Sequence, residues 1–151
     1  PETMYKKIMV ATDGSEPSTN AVKHAAGLAK LTGAGLVIVN VTESWSVLEA
    51  AQASESGIRD PVEQYEKLAD NAAEKTLNAA EAVAKQAGVA CETLHVRDQA
   101  AADGIVTACK DNRCDLIVIG THGRRGIDRM LFGSQAIKVL HHSEIPVLVV
   151  R

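Results

Sequence analysis

Short apolar segments and helical segments alternate five times along the chain, and this alternation limits the possible folds more than any other feature of the sequence. The apolar segments are rich in valine and isoleucine, and turn-forming residues bound them, as is typical of strands. We predict strands over 6–12, 35–41, 89–96, 115–120 and 145–150. Strands that alternate with helices form a parallel sheet with helices on both faces. The sequence therefore predicts an α/β fold.

Helices connect the predicted strands. Ser15 is placed to cap the first helix, Pro17 fits its first turn, and Gly33 lies near its end. Such residues are typical of these positions because proline lacks an N–H group and glycine accepts a left-handed backbone. The remaining helices are predicted over 61–88, about 99–112, and 134 to about 142.

The longest predicted helix begins at Pro61 and ends at Gly88. Apolar residues recur in it every three or four positions, and this period places Val62, Ala72 and other small residues on its buried face. The preceding segment, 42–60, has no clear period. We predict a long loop there, with at most one helical turn.

The usual rules for chain connections predict the order of the strands. Right-handed crossovers make a doubly wound, Rossmann-like sheet of five parallel strands, order 3-2-1-4-5, the simplest arrangement. The winding then reverses between strands one and four. Asp13-Gly14 follows strand one, and residues 120–134 follow strand four, so both loops meet at one crevice. We assign one domain to residues 4–151 and take 1–3 as an addition ahead of Met4.

The composition excludes several classes of function. A net charge of -3 gives no general electrostatic footprint for nucleic acid. No apolar run approaches the roughly 18 residues of a membrane-spanning helix, and the first residues lack the pattern of a signal peptide. Cys91, Cys109 and Cys114 lie in apolar segments, which indicates core residues in a reducing compartment rather than disulfides or metal ligands. We expect a cytoplasmic protein that neither binds nucleic acid nor inserts into membranes.

The segment GTHGRRGIDRMLFGS, residues 120–134, combines glycines, arginines and a final Gly-Ser pair between a strand and a helix. Gly120 and Gly123 permit a positive φ and the close approach of a ligand to the backbone, as does Gly133 where the next helix begins. The Ser134 hydroxyl and the free N–H groups at the helix start favour a phosphate. Alternatively, the glycines only turn the chain and the serine only caps the helix. We favour phosphate binding because these features coincide at the predicted reversal point.

This segment lacks the Gly-Lys-Ser/Thr of a P-loop, and no G-x-G-x-x-G follows strand one. Its spacing resembles G-x2-G-x9-G-[ST], the signature of ATP-binding universal stress proteins. KKIMVATDGSEPS at 6–18, CDLIVIGTHGRRG at 114–126 and SEIPVLVVR at 143–151 are also similar to that family. The resemblance extends over essentially the whole chain.

The resemblance implies that ATP or a related adenine nucleotide binds in the crevice, with or without Mg²⁺. Asp13 would lie near the ribose or phosphates and would be the metal ligand, and the backbone around Val39 to Val41 would meet the adenine. No catalytic residue is implied. The residues implied to contact the nucleotide are Thr12, Asp13, Val39, Asn40, Val41, Gly120, Thr121, His122, Gly123, Arg124, Gly133, Ser134 and Gln135.

By the same resemblance, we expect a nucleotide-responsive regulatory or stress-resistance module that acts on an unknown protein partner. The edge strand at Ile145–Val150 is expected to pair with a second copy and form a homodimer, as is common in the family. A slow ATPase that uses the same pocket is an alternative, although no residue is identified to position the attacking water. A nucleotide-free dimeric adaptor, in which the glycine-rich segment is only a connector, is the other alternative.

Overall fold

The computed structural model describes residues 4–43, 47–57, 59–121 and 134–151. Strands and helices alternate along these residues. The strands are β1 (Lys7–Ala11), β2 (Gly35–Thr42), β3 (Glu92–Arg97), β4 (Leu116–Gly120) and β5 (Val147–Val150). The helices are α1 (Glu16–Thr32), α2 (Val47–Glu55), α3 (Pro61–Gln86), α4 (Ala101–Asp111) and α5 (Ser134–His142).

The five strands form one parallel sheet of order β3-β2-β1-β4-β5. β1 lies at its centre, where Ile8 aligns with Leu36 of β2 on one side and with Leu116 of β4 on the other. Ile8, Met9 and Val10 have no exposed surface, because helices cover both faces of the sheet. The predicted doubly wound α/β fold is confirmed, with the reversal between β1 and β4.

The core has two layers, one on each face of the sheet. Ile8 and Val10 face α1 and α3, whereas Met9 faces α4 and α5, since successive side chains of a strand point to opposite faces. The apolar buried face of α1 consists of small residues, which let the helix lie close to the sheet. These residues are Ala21, Val22, Ala25, Ala26 and Ala29.

Both predicted ends of α1 are confirmed. Ser15 is the N-cap, and its hydroxyl oxygen accepts a hydrogen bond of 3.3 Å from the backbone N–H of Ser18. Gly33 ends the helix with a φ of 76°, and its N–H donates to the carbonyl of Ala29 at 2.8 Å. This left-handed conformation favours glycine, which is why the sequence signal was reliable.

The prediction of a loop over 42–60 is wrong, because this segment contains the nine-residue helix α2. Its sequence, VLEAAQASE, is rich in residues with high intrinsic helix propensity. Between Ala51 and Glu55 the side chains are exposed or half-buried. Side chains that stay exposed or half-buried need not be apolar, so this part of the helix has no strong apolar period that could have indicated it.

α3 begins and ends close to its predicted limits, but its predicted buried face is partly wrong. The buried residues are Ala73, Leu77, Ala80 and Ala84. Ala72 is exposed, and 44% of the Val62 surface is accessible. The first turns of α3 bury no side chain fully, so the period in them did not mark the core. No helix among the described residues is both long and apolar enough to span a membrane.

β3 begins at Glu92, three residues later than predicted. Before β3 the chain turns back on the end of α3, where the N–H of Val89 donates to the carbonyl of Ala84 at 3.0 Å. Gly88 has a φ of 80° within this turn. The apolar residues before β3 therefore close the helix rather than extend the strand.

A polar cluster joins β3 to α3 at the edge of the sheet. Nε2 of His95 lies 2.8 Å from the hydroxyl of Thr42, and Nδ1 of His95 lies 3.6 Å from a carboxylate oxygen of Asp70. Arg97 donates to the same Asp70 oxygen at 2.8 Å. Burial and the positive charge of Arg97 lower the pKa of His95, and Asp70 only partly opposes them.

The free energy of unfolding should decrease as the pH is lowered, and part of this decrease should depend on His95. Because the pKa of His95 is lower in the folded state than its unfolded value of about 6.5, the unfolded state binds more protons as pH falls. The stability that neutral His95 contributes is complete above that value and is lost as pH falls through the folded pKa. Urea unfolding at several pH values between 7.5 and 5 should show a steeper loss for the native protein than for His95→Gln. Parallel pH profiles would contradict this prediction.

Candidate functional site

A cleft of about 140 Å³ opens at the carboxyl ends of β1, β2 and β4, beside the N-termini of α4 and α5. Parallel strands place all their carboxyl ends at one edge, and the crevice forms where the winding reverses. Six of the predicted site residues line the cleft: Thr12, Asp13, Val39, Val41, Gly120 and Gln135. Five further residues line it as well: Ala11, Ser18, Ala101, Ile105 and Ile119.

Three other predicted site residues that the structure describes, Asn40, Thr121 and Ser134, are not among the lining residues. Asn40 and Thr121 are buried next to lining residues, and Ser134 is the exposed first residue of α5. The N–H of Thr121 donates to the carbonyl of Val150 at 3.0 Å, which extends the pairing of β4 with β5. His122, Gly123, Arg124 and Gly133 lie outside the described residues.

Asp13 forms a tight turn at the end of β1. One of its carboxylate oxygens, Oδ1, accepts hydrogen bonds from the backbone N–H of Ser15 at 2.9 Å and from the hydroxyl of Ser18 at 2.9 Å. Gly14 follows with a φ of 83°, a conformation that few side chains tolerate. Asp13 thus shapes an Asp-Gly turn and at the same time presents a carboxylate to the cleft.

The Asp13 carboxyl remains ionised at neutral pH. Partial exclusion of water raises its pKa, but the hydrogen bonds from Ser15 and Ser18 together outweigh this effect, so the net pKa lies below the usual value. A negative charge is therefore fixed at one side of the cleft. It repels a free phosphate and attracts a cation.

Asn40 supports the turn from the neighbouring strand. Its side-chain amide donates to the carbonyl of Thr12 at 2.8 Å, and the N–H of Thr12 donates to the carbonyl of Val39 at 2.9 Å. Both bonds are buried and join the ends of β1 and β2. The amide N–H that makes this bond holds the wall of the cleft and is not free for a ligand.

Gly120 lines the cleft, and its lack of a side chain also has a packing role that the sequence did not indicate. The positive φ that glycine permits is not used here, since Gly120 is not among the residues with a positive φ in the described part of the chain. A Cβ atom at this position would lie 2.8 Å from the carbonyl oxygen of Pro17. Glycine is needed because the first turn of α1 packs directly against the end of β4. The bare backbone at Gly120 therefore accommodates a helix.

Gln135 connects the two helices that border the cleft. Its side-chain oxygen accepts a hydrogen bond of 3.2 Å from the backbone N–H of Ala102. The N-cap of α4 is Ala100, whose side chain has no acceptor, so Gln135 satisfies one of the free N–H groups at the start of α4. The predicted ligand-binding glutamine thus caps a neighbouring helix through its oxygen.

The N-terminus of α4 is the part of the site that sequence reasoning missed. Ala101 and Ile105 line the cleft. Gly104 of α4 lies against Val41: a Cβ there would be 2.6 Å from a methyl carbon of that valine. α4 follows β3, so its N-terminus lies at the same edge as the strand ends, and the topology alone could have indicated it. Ser18 was also missed, although its position in the first turn of α1 places it beside Asp13.

The cleft has one apolar side and one polar side. Val39, Val41, Ile105 and Ile119 supply aliphatic surface, and the polar groups gather around Asp13. Such a combination binds a flat apolar group and orients it through a few polar contacts. In the described part of the chain no three His, Cys, Asp or Glu side chains are grouped as a metal site. A metal ion at Asp13 would therefore need most of its ligands from water or from a bound molecule.

Comparisons with known proteins agree with this architecture. Residues 4–151 match the model of the universal stress protein family. The chain is 33% identical to universal stress protein MJ0531 of Methanocaldococcus jannaschii over 150 residues, which cover 99% of this chain and 84% of the relative. A universal stress protein family member from Burkholderia pseudomallei superposes with a TM-score of 0.74 at 28% identity, covering 99% and 98% of the two chains. A universal stress protein solved in complex with cAMP gives a TM-score of 0.70 at 26% identity, covering 99% and 98%.

Replacing Gly120 by alanine should destabilise the protein by about 1–3 kcal/mol, since the added methyl group must displace the backbone of Pro17. Gly27→Ala is a matched control. No described residue lies within 4 Å of a Cβ at Gly27, which is inside α1, so alanine should raise stability by up to about 1 kcal/mol. Urea unfolding of the two variants measures both effects. Equal stability of the two variants would contradict the packing role of Gly120.

Proposed function

The chain belongs to the universal stress protein family, and from this we propose that it binds ATP or a related adenine nucleotide in the cleft and acts as a nucleotide-responsive regulatory module. The observation that carries the proposal is the combination of an aliphatic wall, a fixed carboxylate and the start of α5 around one cleft at the reversal point of the sheet. The family member solved with cAMP supports an adenine nucleotide as the ligand.

We place the adenine ring against the aliphatic wall. Val39 and Val41 form it from β2, and Ile105 forms it from α4. A volume of about 140 Å³ lies below the roughly 300–1,000 Å³ of pockets that enclose drug-sized ligands. The cleft therefore suits one ring system, and the sugar and phosphates extend beyond it. Hydrogen bonds to the base come from backbone groups near the end of β2.

We place the phosphates near the start of α5. The first four N–H groups of a helix have no partner within it, and the helix dipole favours an anion there. The helix begins at Ser134, which is exposed and supplies a hydroxyl. The contributions of His122, Gly123, Arg124 and Gly133 stay predictions from the sequence.

Asp13 is the residue that would hold Mg²⁺ with a nucleotide. Mg²⁺ in nucleotide sites commonly has one or two carboxylate ligands and takes the others from phosphates and water. Asp13 meets this requirement, since the carboxylate is ionised and its position is fixed by Ser15 and Ser18. A bound Mg²⁺ would neutralise phosphate charge. The carboxylate itself orients the ion and prevents a metal-free polyphosphate from approaching β1 closely.

A regulatory role is favoured over turnover for a chemical reason. Hydrolysis of ATP requires a residue that positions water, and among the described residues that line the cleft no side chain is suited to that task apart from the groups already bound in the Asp13 turn. Nucleotide occupancy would instead change the surface around residues 120–134, which a protein partner would recognise. We expect the protein to act on its partner in the cytoplasm.

The proposal is tested by identifying the nucleotide that purified protein carries. The protein is denatured, and any released compound is identified by mass spectrometry, while calorimetry measures the binding of added ATP, ADP and cAMP. We expect adenine nucleotide at a substantial fraction of one per chain, or micromolar binding after its removal. Steady phosphate release that requires Asp13 would favour a slow ATPase. An empty protein that binds none of the three compounds would contradict the proposal.

Asp13→Asn should abolish the effect of Mg²⁺ on ATP binding. The amide keeps the shape of the turn but has no charge, so ATP affinity without Mg²⁺ should stay the same or increase, while the gain on adding Mg²⁺ is lost. Asp111→Asn, at the far end of α4, is the matched control and should keep the gain. Calorimetric titrations of each variant with ATP, with and without Mg²⁺, measure this gain in affinity. An unchanged Mg²⁺ effect in Asp13→Asn would exclude this carboxylate as the metal ligand.

We also propose that the protein forms a homodimer through the edge strand predicted at Ile145–Val150. β5 occupies one edge of the sheet and pairs with β4 on its inner side. Leu148 in the middle of β5 is 39% exposed. An edge strand with an exposed leucine invites pairing with another strand, and a second copy of β5 would cover both the backbone and this side chain.

Leu148→Lys should convert the dimer to a monomer, because a lysine on an edge strand disfavours strand pairing. Leu31→Lys is the control: Leu31 lies at the end of α1 with 87% of its surface exposed, so its replacement should leave the mass unchanged. Light scattering after size-exclusion chromatography gives the mass at micromolar concentration. A monomeric native protein, or a Leu148→Lys variant that stays dimeric, would contradict this mode of assembly.

A further inference from the structure

Two cysteines lie together near the amino end of β4, on the opposite side of the sheet from the carboxyl ends of the strands, where the cleft lies. Cys109 is in the last turns of α4, and Cys114 immediately precedes Asp115 and β4. Both are buried, with 4% and 6% of their surfaces exposed. They line a second cavity, of about 290 Å³, which Lys110 and Arg113 also border. The sequence indicated two separate core cysteines, and their proximity follows only from the turn between α4 and β4.

The backbone holds the two cysteines next to each other. The N–H of Cys114 donates to the carbonyl of Cys109 at 3.0 Å. The sulfur of Cys109 lies 3.5 Å from the carbonyl oxygen of Cys114. Disulfide formation requires neighbouring backbones and Cβ atoms directed toward each other. A direct backbone hydrogen bond between the two residues meets the first condition, and the contact of the Cys109 sulfur with the Cys114 carbonyl directs the Cys109 side chain toward Cys114.

The two thiols also have unequal acidity. A hydrogen bond between them raises the pKa of Cys109 and lowers that of Cys114, and the positive charge of Lys7 lowers the pKa of Cys114 further. Burial opposes ionisation of Cys114 but does not outweigh the hydrogen bond. The Cys109 thiol donates to the carbonyl oxygen of Cys114, and this contact favours its protonated form. Cys114 is therefore the cysteine that reacts as a thiolate, the nucleophilic form.

We propose that Cys109 and Cys114 are a redox-modification site at which hydrogen peroxide forms a reversible intramolecular disulfide. The Cys114 thiolate attacks one oxygen of the peroxide, the O–O bond breaks, and hydroxide leaves while Cys114 becomes a sulfenic acid. The Cys109 thiol then attacks the Cys114 sulfur. An S–S bond forms, the S–O bond breaks, and the Cys109 proton leaves with the hydroxyl group as water. Both sulfurs are oxidised, and the peroxide is reduced to water and hydroxide.

The cavity accounts for the reactivity of buried thiols. Hydrogen peroxide is scarcely larger than water, so a cavity of about 290 Å³ lined by both cysteines admits it. Cys91 provides a contrast within the same chain. It packs against the core between α3 and the sheet, and burial raises the pKa of its thiol. A half-buried thiol with a raised pKa should remain reduced.

The experiment is peptide mapping of native protein after brief exposure to a small excess of hydrogen peroxide. Trypsin cleaves after Lys110 and Arg113, so the reduced cysteines fall in separate peptides, 98–110 and 114–124, and the disulfide links them. We expect this linked pair in monomeric chains on a non-reducing gel, a fall in free thiols from three per chain to one, and recovery of all three with dithiothreitol.

Variants separate the roles of the two cysteines. Cys109→Ser should stop at a Cys114 sulfenic acid that dimedone traps, Cys114→Ser should react at least tenfold more slowly, and Cys91→Ser should behave as the native protein. Three thiols that persist in the native protein would overturn the proposal. So would a disulfide that includes Cys91, or oxidation of both cysteines to sulfinic acids without a link. The peptide map of the native protein decides the question even if a variant fails to fold.

Discussion

The burial of β1 on both faces is the constraint on which the rest of the structure depends. β1 lies between β2 and β4. The chain leaves β1 through α1 toward β2, whereas it leaves β4 toward β5 on the other side of the sheet, so these two connections diverge. Their divergence opens a cleft at the carboxyl end of β1. The turn at Asp13, the end of β2 and the starts of α4 and α5 all meet there as a result. The position of the site is thus a consequence of the winding of the sheet.

Most polar groups around the cleft are committed to holding its walls. Asn40 fixes the end of β1 to the end of β2, Gln135 caps α4, and Ser18 holds the Asp13 carboxylate. Such contacts lock the geometry before any ligand arrives, which lowers the entropic cost of binding. In the described part of the cleft, two features remain for a ligand: the ionised Asp13 side chain and the start of α5. They have opposite electrostatic character, as a metal–polyphosphate complex requires.

The fold could be predicted from the sequence because its signals are local. The cap at Ser15, the stop at Gly33 and the apolar strands each act through their own backbone, and the parallel topology follows from their order. α2 could not be predicted by periodicity, since its side chains from Ala51 to Glu55 are exposed or half-buried and form no apolar stripe.

The site was predicted less completely, for the opposite reason. The roles of Gly120 and Gln135 depend on contacts with α1 and α4, far away in the chain. In the sequence, a glycine before a loop indicates conformational freedom. In the structure, Gly120 is needed because its missing side chain leaves room for the backbone of Pro17. The pairing of Cys109 with Cys114 likewise depends on how a turn folds back, which composition does not reveal.

The most direct test of nucleotide binding at this cleft is an NMR titration of ¹⁵N-labelled protein with ATP and Mg²⁺. The account predicts that the largest shifts occur at amides of residues 12–14, 39–41, 101–105 and 134–136, which surround the cleft. The signals of amides 109–114, at the amino end of β4, are the internal reference and should shift little. Shifts concentrated at these amides, or none at millimolar ATP, would contradict the central claim.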